Sequence, residues 1–369
     1  MWRAKILALW ARPRLSMWLF PLWPISLFYR SAMALRRYAY RQGWLKAWRA
    51  PVPVVVVGNV YVGGTGKTPF TLALVKLLQQ QGWRPGIVSR GYGARQSATD
   101  KPELVLPESD PLQVGDEPLL MARRRNCPVV VHRQRVTAVQ HLLSLQSEID
   151  IVVCDDGLQH LALARDLEIM VLDQRGFGNR HCLPAGPLRE PAIQANSFSV
   201  WACNGAVPPV SASPSHGVVL IPFVLEPTAL RAVADQSPYA LPDLAGKRIL
   251  LFAGIGAPER FFTSMQTILE KAQAEHWQMR AFPDHHPYQS ADLASLIAQS
   301  AGQLDLLICT EKDAVKCQKF AAQLALPLLY LAVEAQIDES VRPQLWQTLA
   351  ALKQTQSIEA LSRINQPTM

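Results

Sequence analysis

The chain has 369 residues, of which 49% are hydrophobic and 18% are charged. This length suits two domains of ordinary size, and the composition excludes an intrinsically disordered protein. The formal net charge of +8 is unevenly distributed, because residues 1–99 carry 15 Lys and Arg side chains but no Asp or Glu. Such a basic amino-terminal part is expected to attract anionic partners: a lipid surface, a nucleic acid or phosphate groups.

The first fifty residues have the pattern of a membrane-associated helical segment. Residues 16–29 are strongly apolar and uncharged, arginines lie on both sides of them, and six of the ten tryptophans precede residue 50. Tryptophan rings and cationic side chains favour the headgroup layer of a bilayer. The apolar run is shorter than the roughly 20 residues of a spanning helix and contains Pro21 and Pro24. We expect an interfacial or re-entrant hairpin ahead of a full span, with a helix docked on the protein core as the alternative.

From Pro51 onward, strand patterns alternate with helix patterns. The β-branched run Val52–Val57 predicts a buried parallel strand, and residues 66–81 have helical spacing of apolar side chains. Further strands are predicted at Gly86–Ser89, Pro128–Val131, Ile151–Cys154 and Glu168–Leu172, and further helices near 117–125 and 133–145. This alternation predicts an α/β fold with a mainly parallel, doubly wound sheet.

A second α/β series follows a stretch at 204–216 that is rich in Pro and small polar residues and that suits a linker. Its predicted strands are Arg248–Ala253, 279–282, Asp305–Thr310 and Pro327–Leu331, and its predicted helices start at Pro258 and near 290. The resulting division is a membrane-associated segment at 1–50, a first α/β domain at 51–203, a linker at 204–216, a smaller α/β domain at 217–345 and a carboxyl-terminal helix and tail at 346–369.

The segment GGTGKT lies between the first predicted strand and the first predicted helix of the α/β series. Glycines let backbone N–H groups turn toward phosphate oxygens, and the helix N-terminus adds a partial positive charge. In this pattern the lysine reaches the β- and γ-phosphates and the threonine hydroxyl binds Mg²⁺. The consensus G-x-x-x-x-G-K-[ST] has glycine where this chain has tyrosine. The sequence nevertheless predicts a triphosphate site that comprises Tyr61, Val62, Gly63, Gly64, Thr65, Gly66, Lys67 and Thr68.

Acidic residues follow two of the predicted strands or begin helices. Asp155 and Asp156 end an apolar strand, which favours a magnesium site opposite the phosphate loop over a helix cap or turn. The local pattern at Asp116 and Glu117 favours a helix N-cap with an acid in the first turn. After a strand in the second half, His285 suits the polarisation of a carboxylate and a solvated turn equally well.

These features predict a phosphoryl transferase at a membrane surface. A membrane-bound switch ATPase of the partitioning type, which has no phosphoryl acceptor, remains the alternative. The segment TEKD at 310–313 has its lysine one place later than the guanine-reading motif of GTPases, so we treat that match as weak. A non-enzymatic membrane-binding module leaves the phosphate loop unexplained.

Several long motifs occur in a characteristic order, and together they resemble the tetraacyldisaccharide 4'-kinase family over residues 51–316. The motifs are GNVYVGGTGKTP, VSRGYG, GDEP, DDGLQH, FGN with LPAGPLREP, AGIG, PDHH and TEKDAVK. The resemblance implies two α/β/α sandwich domains, the first of the P-loop kinase type, with a cleft between them. It implies transfer of the γ-phosphate of ATP, with Mg²⁺, to the 4'-hydroxyl of a lipid-linked disaccharide in lipid A synthesis. It also implies an amino-terminal anchor on the cytoplasmic face of the bacterial inner membrane. We expect contact with the lipids of that membrane, no nucleic-acid partner and no obligate protein partner.

The resemblance further assigns roles to residues by their motifs. It implies a catalytic set in which Asp116 is the base and is paired with histidine: Lys67, Asp116, Asp156 and His285. It implies magnesium ligands at Thr68, Asp155 and Glu117. Supporting roles are implied for Gln159, His160 and Arg175. Because members of the family share the non-glycine residue at position 61, that departure does not count against ATP binding.

Overall fold

The fold is organised around one large β-sheet, seen in a computed structural model that describes residues 2–91, 101–125, 127–205, 217–300 and 302–352. Within these ranges the sheet has 13 strands. The first seven strands are β1 (Val54–Gly58), β2 (Pro85–Ser89), β3 (Glu103–Leu104), β4 (Val129–Val131), β5 (Ile151–Asp155), β6 (Leu167–Asp173) and β7 (Val200–Asn204). The remaining strands are β8 (Val219–Ala232), β9 (Pro238–Tyr239), β10 (Arg248–Ala253), β11 (His276–Ala281), β12 (Leu306–Thr310) and β13 (Leu328–Ile337).

The helices cover both faces of the sheet. They are α1 (Trp2–Trp10), α2 (Trp23–Arg41), α3 (Lys67–Gln80), α4 (Pro111–Val114), α5 (Asp116–Arg124), α6 (Arg135–Leu145), α7 (Pro258–Lys271), α8 (Ser290–Gln299) and α9 (Glu311–Ala321), and residues 342–352 are also helical. Along β1, Val55 and Val57 pack in one hydrophobic cluster with α3, whereas Val54 and Val56 pack in another with α6. A strand buried on both faces needs a continuous apolar run, which β1 has.

The strand order places the ends of β1, β5 and β6 next to one another in the sheet. The order is β11-β10-β12-β13-β8-β7-β6-β1-β5-β2-β4-β3, and β9 pairs with β8 beside this path. Pairing is antiparallel for β3 with β4 and for β8 with β13 and β9, and it is parallel for the other pairs. The α/β class and the mainly parallel sheet predicted from the sequence are therefore confirmed.

Strand β8 joins the two halves of the chain into this continuous sheet. Its first residues pair in parallel with β7, and the rest pairs antiparallel with β13 from Phe223 to Ala232. The strand contains two prolines, which act as strand breakers in a sequence pattern, and we did not predict it. Pro227 lies where the register with β13 shifts between Ala332 and Val333, so a bulge accommodates the proline.

Most predicted elements agree with the structure to within a few residues, whereas the domain limits stay a prediction. The elements that are additional to the predicted set are strands β3, β7, β8 and β9 and helices α4 and α9. The proposed linker at 204–216 lies largely outside the described residues, as does the tail after residue 352. Because strand pairing runs through β7, β8 and β13 without a break, the two halves share one sheet. One hydrophobic cluster also joins them, since it packs Val315, Ala335 and Ile337 with residues of α3.

The amino-terminal helices dock on the first half through specific polar contacts. On α2, Ser26 Oγ donates to the carbonyl of Cys182 at 2.7 Å, and the Tyr29 hydroxyl donates to the carbonyl of Arg189 at 2.9 Å. About two turns further along the helix, Arg37 forms an ion pair with Glu190, which is 1% exposed. The docking predicted as an alternative for this segment is thus present.

The same segment also exposes large apolar side chains. Met17, Trp18, Phe20 and Phe28 are between 62% and 83% exposed. Within the described part of the chain, no helix combines the length and the hydrophobicity that crossing a bilayer requires. One side of the amino-terminal segment therefore contacts the protein, and another presents aromatic surface outward.

We predict that Glu190→Ala destabilises the protein by about 3 kcal/mol, because it leaves the Arg37 guanidinium in a buried site without its counter-charge. The matched control is Glu148→Ala, which breaks an exposed pair with Arg84 whose atoms are 3.0 Å apart. This control should change stability little, since exposed ion pairs contribute little. Urea denaturation of both variants measures the difference. Equal losses would show that burial does not set the strength of the Arg37–Glu190 pair.

Candidate active site

The phosphate loop, residues 59–66, connects the end of β1 to the start of α3. Gly63 and Gly66 have φ angles of 103° and 93°, in the left-handed region that glycine adopts without steric cost. A Cβ atom at Gly66 would lie 2.9 Å from the side-chain nitrogen of Asn204. The glycines thus allow both the turn and the close approach of neighbouring groups, and the loop ends at the N-terminus of a 14-residue helix. Such a turn provides amide donors and a positive helix end for an anion.

Two asparagine side chains hold the shape of the phosphate loop. Asn59 is fully buried, and its amide nitrogen lies 2.5 Å from the Tyr61 carbonyl, 3.1 Å from the Gly63 carbonyl and 3.2 Å from Thr65 Oγ1. Asn204, at the end of β7, donates to the Thr65 carbonyl at 3.3 Å. The loop is therefore shaped by the protein itself before any ligand binds.

Lys67 lies at the mouth of the loop and is held by an acid. Its Nζ is 2.8 Å from Asp156 Oδ1 and 3.2 Å from Asn59 Oδ1. The Nη1 atom of Arg189 is 3.0 Å from each oxygen of Asp156. Burial alone would raise the pKa of Asp156, but the Lys67 and Arg189 cations hold it well below its ordinary value. Asp156 is thus an anion that positions two cations beside the phosphate loop.

Asp155 is buried beside the first turns of α3. Its carboxylate oxygens lie 3.4 Å from Thr71 Oγ1 and 3.4 Å from Ser89 Oγ, and the residue is 1% exposed. Burial, and then the nearby charge of Glu117, raise its pKa to about 7. Because Thr68 precedes Thr71 by three residues, both threonines lie on the same side of α3. Asp155 therefore faces the part of the helix that carries the predicted magnesium-binding hydroxyl.

Asp116 and His285 meet across the two halves of the chain. Asp116 begins α5 in the first half and is 6% exposed, and its Oδ2 lies 3.2 Å from His285 Nδ1. Lys312 and Lys316 on α9 each place Nζ 3.9 Å from the same oxygen. Burial opposes ionisation of Asp116, but the hydrogen bond to His285 and the two lysines lower its pKa to about 2. Asp116 is consequently a carboxylate that orients an imidazole.

Glu117 lies between this pair and Asp155. Its Oε1 is 2.7 Å from the Nζ of Lys312, and its charge is close enough to raise the pKa of Asp155. The described residues contain no group of three or more His, Cys, Asp and Glu side chains arranged to hold a metal ion by themselves. Mg²⁺ in nucleotide sites usually takes one or two carboxylates together with phosphate oxygens and water. A hydroxyl and a buried carboxylate beside a phosphate loop are donors of that kind.

The loop at 253–256 brings the second half against the phosphate loop. A Cβ atom at Gly256 would lie 4.0 Å from the amide nitrogen of Gly64 and 3.4 Å from Asp284 Oδ2. The His285 amide donates to the Gly254 carbonyl at 3.1 Å, and His285 itself has a φ angle of 61°. The backbone of His285 is thus held by the same loop that borders the phosphate site.

The residues of the DDGLQH motif connect the site to the amino-terminal helices. Gln159 Nε2 donates to Glu190 Oε1 at 3.0 Å, and Arg36 on α2 donates to the Gln159 carbonyl at 3.0 Å. Burial, followed by the charge of Arg135, lowers the pKa of His160 to about 3, so its ring is neutral near pH 7. These side chains lie between the phosphate loop and the segment with exposed aromatic rings.

The structure brings the predicted site residues together in two adjoining groups. Around the phosphate loop are Lys67, Thr68, Asp155 and Asp156, and across from them are Asp116, Glu117 and His285. Residues that the sequence reasoning did not assign to the site also contribute: Asn59, Asp173, Arg189, Asn204, Lys312 and Lys316. Asp173 could have been found by the rule that was applied to Asp155, since it too is an acid at the end of a strand that neighbours β1.

A phosphate loop with its lysine, two strand-end acids and an opposing carboxylate–imidazole pair define a phosphoryl transferase of the P-loop class. The loop and its cations suit a triphosphate, and the imidazole suits an acceptor hydroxyl. Both lie at the carboxyl edge of the parallel strands, where open α/β sheets bind their ligands.

Known proteins place the chain within this class. A family model described as Tetraacyldisaccharide-1-P 4'-kinase matches residues 18–350, and the chain belongs to this family. The tetraacyldisaccharide 4'-kinase of Herminiimonas arsenicoxydans is 42% identical over 352 residues, covering 92% of this chain and 94% of that protein. That of Alkalilimnicola ehrlichii is 44% identical over 330 residues, covering 89% and 92%. A crystal structure of LpxK from Aquifex aeolicus in complex with ATP is similar with a TM-score of 0.74 and 26% identity, covering 91% of this chain and 99% of that one.

We predict that Lys67→Ala reduces turnover by about a thousandfold while the protein stays folded, because a cation directed at transferring phosphate is lost. The matched control is Lys76→Ala on the same helix. Lys76 pairs with Glu334 at 3.3 Å and is 47% exposed, so its loss should leave turnover near that of the unaltered protein. Steady-state kinetics and thermal unfolding measure both effects. Normal turnover by Lys67→Ala would exclude this lysine from the phosphate site.

Proposed function

We propose that the chain transfers the γ-phosphate of ATP to the 4'-hydroxyl of tetraacyldisaccharide 1-phosphate, giving lipid IV-A in lipid A biosynthesis. The observation that carries this proposal is the Asp116–His285 pair, which places an imidazole from the second half of the chain beside a buried carboxylate of the first half, the half that contains the phosphate loop. Water in a switch ATPase also has to be oriented, so the choice of a sugar hydroxyl as the acceptor is supported by the match to the tetraacyldisaccharide 4'-kinase family. An acceptor hydroxyl needs a residue that orients it and receives its proton.

The donor side of the reaction belongs to the phosphate loop. ATP would replace Asp156 as the partner of Lys67, because the γ-phosphate carries more negative charge than a single carboxylate. Asp156 then remains paired with Arg189, whose Nη1 contacts both carboxylate oxygens. Lys67 is thereby available to the phosphoryl group as negative charge redistributes in the transition state.

The acceptor side is divided between Asp116 and His285. A carboxyl group with a pKa of about 2 is a weak base, so Asp116 orients the imidazole through Nδ1 and stabilises its protonated form. Nε2 of His285 then receives the proton of the sugar hydroxyl, and His285 is more exposed than Asp116, at 29% against 6%. The family resemblance implies that Asp116 itself is the base, and that role stays a prediction. In the present proposal Asp116 acts through His285, because the hydrogen bond with His285 and the two lysines lower its pKa.

Thr68, Asp155 and Glu117 would hold Mg²⁺ together with phosphate oxygens. The ion would neutralise charge on the triphosphate. Asp155 fits this role because its carboxyl group is buried beside hydroxyl groups and close to a second acid. Glu117 would exchange its contact with Lys312 for the ion or for water bound to it.

The amino-terminal segment suits an acceptor that carries acyl chains. Such a molecule keeps its chains in the bilayer while its sugar reaches the phosphate loop, so the enzyme must lie at the membrane surface. Trp18 and Phe28 are 80% and 77% exposed, and the segment is basic. Because ATP is cytoplasmic, we place the protein on the cytoplasmic face of the bacterial inner membrane. Gln159 and His160 lie between this segment and the phosphate loop and would contact the sugar.

We predict that the purified protein transfers labelled phosphate from ATP to the disaccharide lipid. His285→Ala and Asp116→Ala should each lower kcat by about a hundredfold or more while ATP binding is retained, since the loss of general-base catalysis costs two to four orders of magnitude. Thin-layer separation of the labelled lipid measures transfer. Acceptor-independent release of phosphate, with no labelled lipid, would favour the switch ATPase.

We predict that Trp18→Glu combined with Phe28→Glu moves the protein from vesicles of anionic lipid into solution. The changes place charge where the apolar rings would enter the headgroup layer, and both positions are exposed, so the fold should persist. Leu241→Glu, at a 46% exposed position in the second half, is the control and should leave binding unchanged. Vesicle co-sedimentation measures the difference. Equal binding by all variants would remove this segment from the membrane contact.

A further inference from the structure

Tyr61 occupies the place where the phosphate-loop consensus has glycine, and the structure gives this side chain a specific environment. Tyr61 is 2% exposed, and its main chain forms an isolated antiparallel bridge with Leu188. The guanidinium carbon of Arg175 lies 4.4 Å from the centre of the Tyr61 ring. An aromatic ring at this distance attracts a cation. The departure from consensus therefore provides a platform for an arginine.

Arg175 connects this platform to the backbone of the phosphate loop. Its Nη2 donates to the Gly64 carbonyl at 2.7 Å. When the amide N–H groups of a loop point toward a phosphate, its carbonyl groups point away and need hydrogen-bond donors from elsewhere in the protein. Arg175 supplies that contact at a residue between Gly63 and Gly66, both of which have positive φ angles. Glycine loses more conformational freedom on ordering than other residues, so an ordered loop of this kind needs such contacts.

Asp173 fixes Arg175 in place. It ends β6, beside β1, and is 4% exposed. Both of its oxygens lie 3.0 Å from Arg175 Nε, and Oδ2 is 2.9 Å from Arg175 Nη2. The guanidinium is thus held by a carboxylate, a carbonyl and a ring at once. Planar, forked geometry of this kind is available to arginine and not to lysine.

The same carboxylate also binds the second half of the chain. Arg260 on α7 places Nη2 2.8 Å from Asp173 Oδ2. The loop that precedes α7 contains Gly256, which borders the amide nitrogen of Gly64. One buried acid therefore contacts an arginine from each half, next to the tip of the phosphate loop.

We propose that Tyr61, Arg175 and Asp173 are positioning residues that form a brace for the phosphate loop. The brace holds the loop in its ATP-binding shape before the nucleotide arrives, and Arg260 ties the second half to it. Preorganisation reduces the conformational entropy that binding must overcome, so the brace acts on nucleotide affinity more than on the chemical step. The inference rests on the proposed function only in naming ATP as the ligand.

The test is calorimetric titration with Mg²⁺ and a non-hydrolysable ATP analogue in the absence of acceptor. Arg175→Ala should raise the Kd about tenfold, the effect expected when a charge-assisted hydrogen bond is lost. In kinetics, the KM for ATP should rise while kcat at saturating ATP and the KM for acceptor change little. Arg175→Lys should restore only part of the affinity, because lysine cannot make the forked contacts.

Arg248→Ala is the matched control, because it breaks an Arg–Asp pair of similar length in the second half, with Asp305 at 3.0 Å. It should bind the analogue like the unaltered protein. Asp173→Asn should weaken binding at least as much as Arg175→Ala, because it weakens the contacts of Asp173 with both Arg175 and Arg260. The double variant should be little worse than Asp173→Asn alone, because Arg175 acts through Asp173. If Asp173→Asn fails to fold, the titration of Arg175→Ala alone decides whether these residues support nucleotide binding.

Unchanged analogue affinity in Arg175→Ala would overturn the brace even where lipid phosphorylation is normal. Loss of kcat without a change in affinity would also overturn it, since Arg175 would then act on the chemical step. If the unaltered protein binds the analogue but phosphorylates no lipid, the proposed function fails while the brace remains open to the same titration. The two ideas are thus separated by binding and by transfer.

Discussion

Lys67 must remain at the mouth of the phosphate loop while no nucleotide is present, and the Asp156 carboxylate holds it there. Asp156 can stay ionised in a largely buried position because Arg189 contacts both of its oxygens. The next residue, Glu190, binds Arg37 of the amino-terminal helix. Through these contacts the charge balance of the phosphate site and the docking of the amino-terminal segment depend on two consecutive residues of one motif.

The continuous sheet explains how residues from distant parts of the chain meet with useful precision. Asp116 and His285 are separated by 169 positions, and their side chains lie on different halves. Because strand β8 pairs with β7 of the first half and with β13 of the second, the sheet fixes the loops of the two halves relative to each other along its carboxyl edge. One hydrophobic cluster lies within the second half, whereas another packs α3 against Ala335 and Ile337 of β13, so both the sheet and the core connect the halves. The site therefore lies where both halves contribute loops to one edge.

The sequence predicted the parts of the fold that local patterns encode. The β-branched run that became β1 and the glycines before Lys67 have patterns with few alternatives, and the structure has the expected strand, turn and helix there. Strand β8 was missed because its prolines suppress the strand pattern, whereas pairing on both sides and a bulge stabilise it.

The roles of individual site residues depended on contacts that a sequence does not contain. Asp116 has the local pattern of an ordinary helix start, and only the family resemblance indicated its partner. That the two are 3.2 Å apart is a property of the tertiary fold. The same holds for the contact of Arg189 with Asp156 and for the contact of Asp173 with Arg260, because in each case the partner lies in a distant segment of the chain. Their assignment to catalysis or binding remains a prediction that the experiments above address.

The buried carboxyl group of Asp155 has a thermodynamic consequence for the ligand-free protein. Its pKa of about 7 lies above its ordinary value of 3.8, so the folded chain keeps a proton that the unfolded chain has already released. The contribution of Asp155 to the free energy of unfolding therefore falls as the pH rises from about 4 to about 7. A cation bound beside Asp155 would displace this proton, so nucleotide binding with the cation near neutral pH would release a proton to the solvent. The bound cation would also offset the loss of folding stability that ionisation of Asp155 causes.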